Sequence, residues 1–341
     1  MTAGAYILAP AGPALTADEA AFFRDADPWG FIVFQRNCET PDQLRRLTAE
    51  LRESVGRDAP ILIDQEGGRV QRLRAPHWRE WLPPLEQVPA GARAMYLRGL
   101  LIGTELMACG IDVNCSPSAD IARDKTHTFL RNRCYGEYPD TVISMAASCA
   151  DGLMDAGCLP VLKHAPGHGL AVQDSHEELP RITATLNYLK HNDFEAFRGL
   201  SDLPLVMTAH IVVDAIETKR PITMSRKGIR FLRKSLGLNG LLMTDDISMG
   251  ALSGTMRERS EMARAAGCDL VLHCNGDMAE MEQVAEIGPM TPRAADRADI
   301  ALNAKRTPID IDIPALEAEL IKLIVSGDGN FDKKIMSRPS F

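Results

Sequence analysis

The chain has 341 residues, of which 45% are hydrophobic and 25% charged, as is usual for a globular protein with a large core. Its 46 acidic and 38 basic residues give a formal net charge of −8 without a strong basic block, so neither nucleic acid nor an anionic membrane is expected as a partner. No apolar run approaches the roughly 18 residues that a membrane-spanning helix needs.

The N-terminal sequence predicts a first strand and not a secretion signal. No positive charge precedes its short apolar run, and Pro10 and Pro13 follow closely. The eight cysteines form no C-x-x-C pair, and most lie in apolar runs. We therefore expect reduced thiols in a cytosolic protein.

Short apolar runs alternate with longer stretches of helical period. The runs that predict strands are 5–10, 30–35, 60–64, 111–115, 159–163, 204–208, 240–243 and 269–272. The stretches that predict helices are 16–24, 40–55, 92–109, 140–156, 186–200, 278–287 and 313–324.

Eight strand–helix units in about 275 residues predict a single-domain α/β fold, the (β/α)8 or TIM-type barrel. Short strands that are apolar throughout are typical of a parallel sheet buried on both faces. A doubly wound open sheet is the alternative. No G-x-G-x-x-G or P-loop follows any strand, which argues against nucleotide binding in either architecture.

Polar residues gather where the predicted strands end. They are Asp64, Lys163 with His164, His210, Asp245 with Asp246, and His273. The carboxyl ends of barrel strands converge on one mouth, where active sites are built. This distribution favours the barrel and predicts one pocket that holds the whole set.

Lys163 and His164 are hard to explain as structural residues. A buried lysine requires a carboxylate partner or a ligand rich in hydroxyl groups or negative charge. For His168 and His210, a structural histidine with satisfied hydrogen bonds is the simpler interpretation. Asp246 has equal claims to a helix-capping and a functional role, whereas the side chain of Asp245 is expected to point into the mouth.

The loop after the fifth predicted strand carries Asp174 and His176. A carboxylate bonded to one imidazole nitrogen fixes the tautomer, and the other nitrogen can then donate and accept protons near neutral pH. Asp245 would serve as the nucleophile beside this dyad. Alternatively these three residues could ligate a metal together with His164 and His168. No H-E-x-x-H motif supports the metal alternative.

Five motifs together resemble the β-N-acetylhexosaminidase branch of the family 3 glycoside hydrolases, and in particular its bacterial cytosolic β-N-acetylglucosaminidases of peptidoglycan recycling. They are KHAPGHG (163–169) with DSH (174–176), GLLMTDDISM (240–249), IDQEGGRV (63–70), LRNRCYG (130–136) and MTAH (207–210). The motifs occur in order across about residues 5–290, so the resemblance covers nearly the whole chain.

The resemblance implies a catalytic barrel over residues 1–325, followed by a flexible tail over 326–341. It implies a retaining exo-hydrolase that removes terminal β-1,4-linked GlcNAc from GlcNAc-anhydroMurNAc peptides through a covalent glycosyl-aspartate. Asp245 maps to the nucleophile and His176 to the general acid/base, with Asp174 as its partner. Delivery of His176 to the glycosidic bond would require the loop 165–178 to close over the substrate.

The sugar-binding positions of the family map to five residues, which are Asp64, Arg72, Arg133, Lys163 and His164. No cofactor and no metal is implied, and the protein would be a cytoplasmic monomer that acts on small soluble muropeptides or amino sugars. Ala165 and Leu170 depart from the larger apolar and the polar residue usual at these positions, which bears on loop packing and aglycone preference. A phosphorylase that uses the same residues, or a metal-dependent barrel hydrolase, would be the alternatives.

Overall fold

The computed structural model describes residues 2–171 and 179–327. Its centre is a closed barrel of eight parallel strands, in which β1 pairs with both β2 and β8. The strands are β1 (Gly4–Leu8), β2 (Pro28–Val33), β3 (Ile61–Ile63), β4 (Val113–Asn114), β5 (Leu159–Ala165), β6 (Leu205–Thr208), β7 (Leu241–Asp246) and β8 (Leu270–Leu272). The predicted barrel is thereby confirmed, and the open sheet is excluded because it would leave two unpaired edges.

All eight strands lie within one to three residues of their predicted positions, with β7 extended to Asp246. Helices surround the barrel. They are α1 (Ala17–Ala26), α2 (Pro41–Val55), α3 (Pro84–Gln87), α4 (Gly91–Met107), α5 (Thr128–Arg131), α6 (Pro139–Asp155), α7 (Leu186–Lys190), α8 (Asp193–Gly199), α9 (Arg226–Ser235), α10 (Met256–Ala266), α11 (Met278–Ala285), α12 (Pro292–Asn303) and α13 (Ile313–Ser326). A short parallel pair, Arg181–Ile182 with Val212–Val213, lies outside the barrel.

The single helix predicted over 186–200 is wrong, because the structure has two helices there, α7 and α8. Asn192 between them has φ −132° and ψ −100°, which is outside the helical region. Its side-chain amide donates to the Tyr188 carbonyl at 2.9 Å, and the His191 ring lies 2.8 Å from the Asn187 carbonyl. These side chains satisfy carbonyls that a continuous helix would have bonded through its backbone.

Helices α4 and α6 pack together at glycines. A Cβ atom added to Gly99 would overlap the Cys149 carbonyl oxygen, and one added to Gly152 would overlap the Tyr96 carbonyl oxygen. Backbone approach this close is available only to residues without a side chain. Helix α6 also packs against β5, the strand that ends in Lys163, His164 and Ala165.

All eight cysteines lie in the described part of the chain, and none forms a disulfide. Seven of them are buried and Cys38 is partly buried, as the apolar sequence context predicts. Across residues 2–171 and 179–327, no helix combines the length and apolar character that spanning a bilayer requires.

Candidate active site

The carboxyl ends of the barrel strands surround a pocket of about 350 Å³. Its lining brings together the five predicted sugar-binding residues and the predicted nucleophile, namely Asp64, Arg72, Arg133, Lys163, His164 and Asp245. They come from strands or loops up to 181 positions apart in the sequence (245 − 64). Asp174 and His176 lie outside the described residues.

Lys163 is buried at the end of β5 and is paired with two carboxylates. Its Nζ lies 2.9 Å from Asp64 Oδ1 and 2.5 Å from Glu66 Oε1. The predicted need for a carboxylate partner is therefore confirmed. Burial alone would lower the pKa of the Lys163 ammonium, but Asp64 and Glu66 outweigh burial and hold its pKa above the usual range. Lys163 is accordingly a fixed cation at the floor of the pocket.

Asp64 follows β3 and is held from two sides. Arg72 Nη2 donates to its Oδ2 at 3.0 Å, while Lys163 occupies Oδ1. Burial alone would raise the pKa of the Asp64 carboxyl, but Lys163 and Arg72 hold it well below its usual range. The Arg72 guanidinium also lies 4.9 Å from the centre of the Phe34 ring, which fixes its plane at the pocket wall.

Glu66 links the lysine to a second cation, Arg133. The Arg133 guanidinium donates from Nε and Nη2 to the two Glu66 oxygens, both at 2.9 Å, in a bidentate pair. Burial would raise the pKa of the Glu66 carboxyl, but Arg133 and Lys163 lower it to about 2. Glu66 is 1% exposed, so its carboxylate interacts with the two cations and not with solvent.

Arg133 continues the network to His164 and Asp120. Arg133 Nη2 lies 3.2 Å from His164 Nε2, and His164 Nδ1 lies 2.7 Å from Asp120 Oδ2. Because a guanidinium can only donate, this geometry favours the tautomer with the proton on Nδ1, donated to Asp120. Asp120 also accepts a hydrogen bond from the backbone N–H of His168 at 2.6 Å. The imidazole of His164 is thus oriented from both sides.

Asp245 lies near the end of β7, and its carboxylate accepts the backbone N–H of Asp246 at 2.8 Å. Burial would raise the pKa of Asp245, but His164, His210, that N–H and Lys163 together hold it below its usual value. Burial lowers the pKa of His210 itself, so at neutral pH His210 contributes little charge beside Asp245. An ionised carboxylate facing a pocket has the chemistry of a nucleophile.

Asp246 has a structural partner instead. Its two carboxylate oxygens accept from the backbone N–H of Ser248 at 3.0 Å and from the Ser248 hydroxyl at 2.8 Å. This is the turn-capping role that the sequence left open for Asp246. The two adjacent aspartates at the end of β7 therefore do different work.

His210 and His168 differ in whether their ring nitrogens are hydrogen-bonded. His210 is satisfied as predicted, since Nδ1 lies 2.9 Å from Thr223 Oγ1 and Nε2 lies 2.9 Å from the Asp246 carbonyl. The same interpretation is wrong for His168 within the described part of the chain, where its ring nitrogens have no hydrogen-bond partner. Burial lowers the pKa of His168 to about 4, so its ring is neutral at the pocket wall.

Two members of the network, Glu66 and Asp120, were not among the predicted site residues. Glu66 stands two positions after Asp64 in a glycine-bounded turn, which was a readable signal once Lys163 required a partner. Asp120 lies in an irregular loop after β4 without any distinguishing pattern, and only the fold brings it to His164. Over the described ranges, no group of three or more His, Cys, Asp or Glu side chains is placed to hold a metal ion.

Comparison with known proteins shows the family to which the chain belongs. Residues 14–300 match the model of the glycosyl hydrolase family 3 N-terminal domain. The chain belongs to this family. Two relatives within it are named beta-hexosaminidase: one from Alkalilimnicola ehrlichii is 36% identical over 286 residues, 81% of this chain and 82% of the relative. The other, from Pseudomonas aeruginosa, is 34% identical over 82% of this chain and 84% of its own length.

A family 3 crystal structure has the same architecture. NagZ from Neisseria gonorrhoeae in complex with N-trifluoroacetyl-D-glucosamine superposes with a TM-score of 0.81 at 28% identity. The match covers 96% of this chain and 98% of that one. The family resemblance stated from the motifs is therefore confirmed, and the protein is a glycoside hydrolase.

Proposed function

We propose that this protein is a retaining exo-β-N-acetylglucosaminidase that releases terminal β-1,4-linked GlcNAc from peptidoglycan fragments such as GlcNAc-anhydroMurNAc peptides. One observation supports this most directly. The Asp245 carboxylate is ionised and lines a pocket whose floor holds the ion pair of Asp64 and Lys163. The β-hexosaminidase relatives, and the amino-sugar ligand of the gonococcal structure, support an amino sugar as the substrate.

Asp245 would act as the nucleophile. One carboxylate oxygen would attack the anomeric carbon as the bond from that carbon to the aglycone oxygen breaks, giving a glycosyl-aspartate. Its other oxygen accepts the Asp246 N–H, which fixes the direction of the carboxylate. Water would then displace Asp245, so the released sugar retains its anomeric configuration.

His176, with Asp174 as its partner, would supply the proton to the leaving oxygen and then take one from water. Both residues lie outside the described part of the chain, and their assignment depends on the family motif at 174–176. An imidazole in this role departs from the pair of carboxylates usual in glycosidases.

The paired cations would recognise the sugar. Lys163 has three N–H donors, of which the two carboxylates use two, so one remains for a sugar hydroxyl. Arg133 uses Nε and Nη2 within the described residues, which leaves the Nη1 donors for the carbonyl of the N-acetyl group or for the aglycone. Asp64 would accept a hydrogen bond from a sugar hydroxyl. Arg72 and Lys163 each donate to one of its oxygens and so hold the carboxylate in a fixed orientation.

The rim of the pocket supports an acidic aglycone. Arg69 is exposed, lines the pocket and lies 4.1 Å from the centre of the Phe129 ring, while Arg133 lies 5.0 Å from the same ring. Two guanidinium groups thus lie beside one aromatic ring, and Arg69, which is exposed, adds positive charge to this edge of the pocket. The carboxylates of a muramyl peptide match this edge, which is why we place the substrate in cytoplasmic peptidoglycan recycling.

We also infer that residues 1–325 act as one catalytic domain.

The deciding experiment is covalent trapping. Incubation with a 5-fluoro GlcNAc donor, followed by peptide mapping, should place the label on Asp245. Asp246→Asn is the matched control, because Asp246 adjoins Asp245 but is occupied by Ser248, and that variant should still be labelled. A label on another residue would overturn the assignment of the nucleophile.

Two further experiments test the alternative reactions. Product analysis with and without phosphate separates hydrolysis from phosphorolysis, and a loss of activity with chelator would favour the metal alternative.

A further inference from the structure

A second concave site lies at the opposite end of the barrel from Asp245. It is a groove of about 400 Å³ between α9, the end of α10 and the start of α12, here called the basic groove. It adjoins Gly240 and Asp269, which precede β7 and β8 at their amino ends. Among the residues that the structure describes, seven cationic side chains and one carboxylate line it, in a protein whose overall charge is −8.

The single carboxylate, Asp269, is already occupied. It is buried and pairs with Arg233 at 2.5 Å and with Arg297 at 2.8 Å. Asp269 also accepts the backbone N–H of Leu242 at 2.9 Å. It therefore neutralises half of the charge of its own two partners, and nothing is left for the other cations of the groove.

Three of those cations have no partner among the described residues. Arg230 and Lys234 on α9, and Arg293 on α12, are exposed and make no hydrogen bond or ion pair within the described residues. They face the groove from two helices, so a ligand between the helices would meet charge from both sides. Arg226 and Arg264 are positioned by backbone carbonyls, Ala265 at 2.8 Å and Pro289 at 2.6 Å, which hold them in place without cancelling their charge.

The arrangement is electrostatically costly without a ligand. Arg226, Arg230 and Lys234 follow one another at four-residue intervals along one face of α9, a spacing at which like charges destabilise a helix. The first turns of α9 and α12 contain no acidic residue and instead carry Arg226 and Arg293, although cations are unfavourable at a helix N-terminus. A bound anion would remove both penalties.

We propose that the basic groove binds a small polyanion with two adjacent phosphate groups, such as a nucleoside diphosphate or pyrophosphate. A diphosphate carries more negative charge than a single phosphate, and it therefore matches cations on two helices better. A long polyanion such as nucleic acid is disfavoured, because the remaining surface carries the excess of acidic residues and would repel it. The volume lies within the range of small-molecule sites, about 300–1,000 Å³.

The test is calorimetric titration of the full chain with pyrophosphate, ADP and orthophosphate. The variant is Arg230→Ala with Arg293→Ala, which removes two side chains that make no hydrogen bond or ion pair within residues 2–171 and 179–327. The matched control is Arg24→Ala with Arg46→Ala, an equal loss of charge at exposed positions outside the groove. Glycosidase activity and the unfolding temperature without ligand check that both variants are folded.

We expect pyrophosphate and ADP to bind the unaltered protein and the control equally. The groove variant should bind about 10- to 100-fold more weakly, the loss of two charge-assisted contacts, and binding should weaken as salt is added. Tighter binding of ADP than of pyrophosphate would identify a nucleotide as the ligand, and equal binding would identify the phosphates alone. Absence of binding at millimolar concentrations, equal losses in both variants, or orthophosphate binding as tightly as pyrophosphate would overturn the proposal.

Discussion

Replacing Glu66 with glutamine tests the charge network beneath the pocket. The substitution keeps the shape of the side chain but removes the charge that Arg133 and Lys163 share. A carboxyl whose pKa falls from its usual 4.5 to about 2 on folding stabilises the folded state by about 3 kcal/mol at neutral pH. Uncoupling a buried ion pair costs about 3–5 kcal/mol in measured cases, which is of the same order. We therefore expect Glu66→Gln to destabilise the protein by about 3 kcal/mol.

The assay is urea denaturation followed by tryptophan fluorescence at a series of pH values. Because the pKa of Glu66 is lowered on folding, its contribution is complete above pH 4.5 and is lost as the pH falls towards 2. The gap between the unaltered protein and the variant should therefore close over that interval. The variant should also raise KM, since Lys163 and Arg133 lose the anchor that places them in the pocket.

Glu80→Gln is the matched control for this substitution. Glu80 pairs with Arg74 at 2.9 Å, but the two side chains are 36% and 32% exposed, so the pair contributes less than about 1 kcal/mol. If the two variants lost the same free energy of unfolding, or if the difference between Glu66→Gln and the unaltered protein did not change with pH, the charge of Glu66 would not stabilise the fold.

Three further substitutions probe the site and its support. Asp120→Asn should lower kcat/KM about 10- to 100-fold with little change in fold. The substitution removes one hydrogen bond to His164 or His168, so the tautomer of His164 is no longer fixed. Unchanged kinetics would refute this positioning role. Gly152→Ala should cost about 2–3 kcal/mol in urea denaturation, since the new methyl group meets the Tyr96 carbonyl, whereas Gly12→Ala, with open space around it, should cost less than about 0.5 kcal/mol. His176→Ala should slow release of GlcNAc from muropeptides far more than from an aryl glycoside with an activated phenolate leaving group, and equal losses on the two substrates would argue against His176 as the acid.

The eight barrel strands were predicted from the sequence, and its motifs identified six of the residues that line the pocket, namely Asp64, Arg72, Arg133, Lys163, His164 and Asp245. Eight apolar runs with polar residues at their carboxyl ends specify a barrel mouth, because parallel strands direct those ends to one side. The break at Asn192 was not readable, since it depends on side chains that bond the carbonyls of the preceding turn. The helical spacing of apolar residues does not show that side chains compete with the backbone N–H groups for these carbonyls.

The basic groove shows a similar limit. Four of its seven cations stand within residues 226–234, whereas the others are Arg264, Arg293 and Arg297, and the net charge of −8 gave no indication of an anion site. Only the packing of α9, α10 and α12 concentrates them. The same holds for Asp120, which gains a partner 44 positions away when β5 places His164 beside the loop after β4.

The sequence by itself determined the family, the barrel and which residues could carry chemistry, because those depend on local period and on motifs of a few adjacent residues. The tertiary structure alone decided how the charges pair. Lys163 is neutralised by Asp64 and Glu66, Arg133 orients His164, and Asp246 is occupied by Ser248 while Asp245 faces the pocket. Such pairings depend on distances of about 3 Å between residues far apart in the chain, and on the low dielectric of a buried site, neither of which is encoded at any single position.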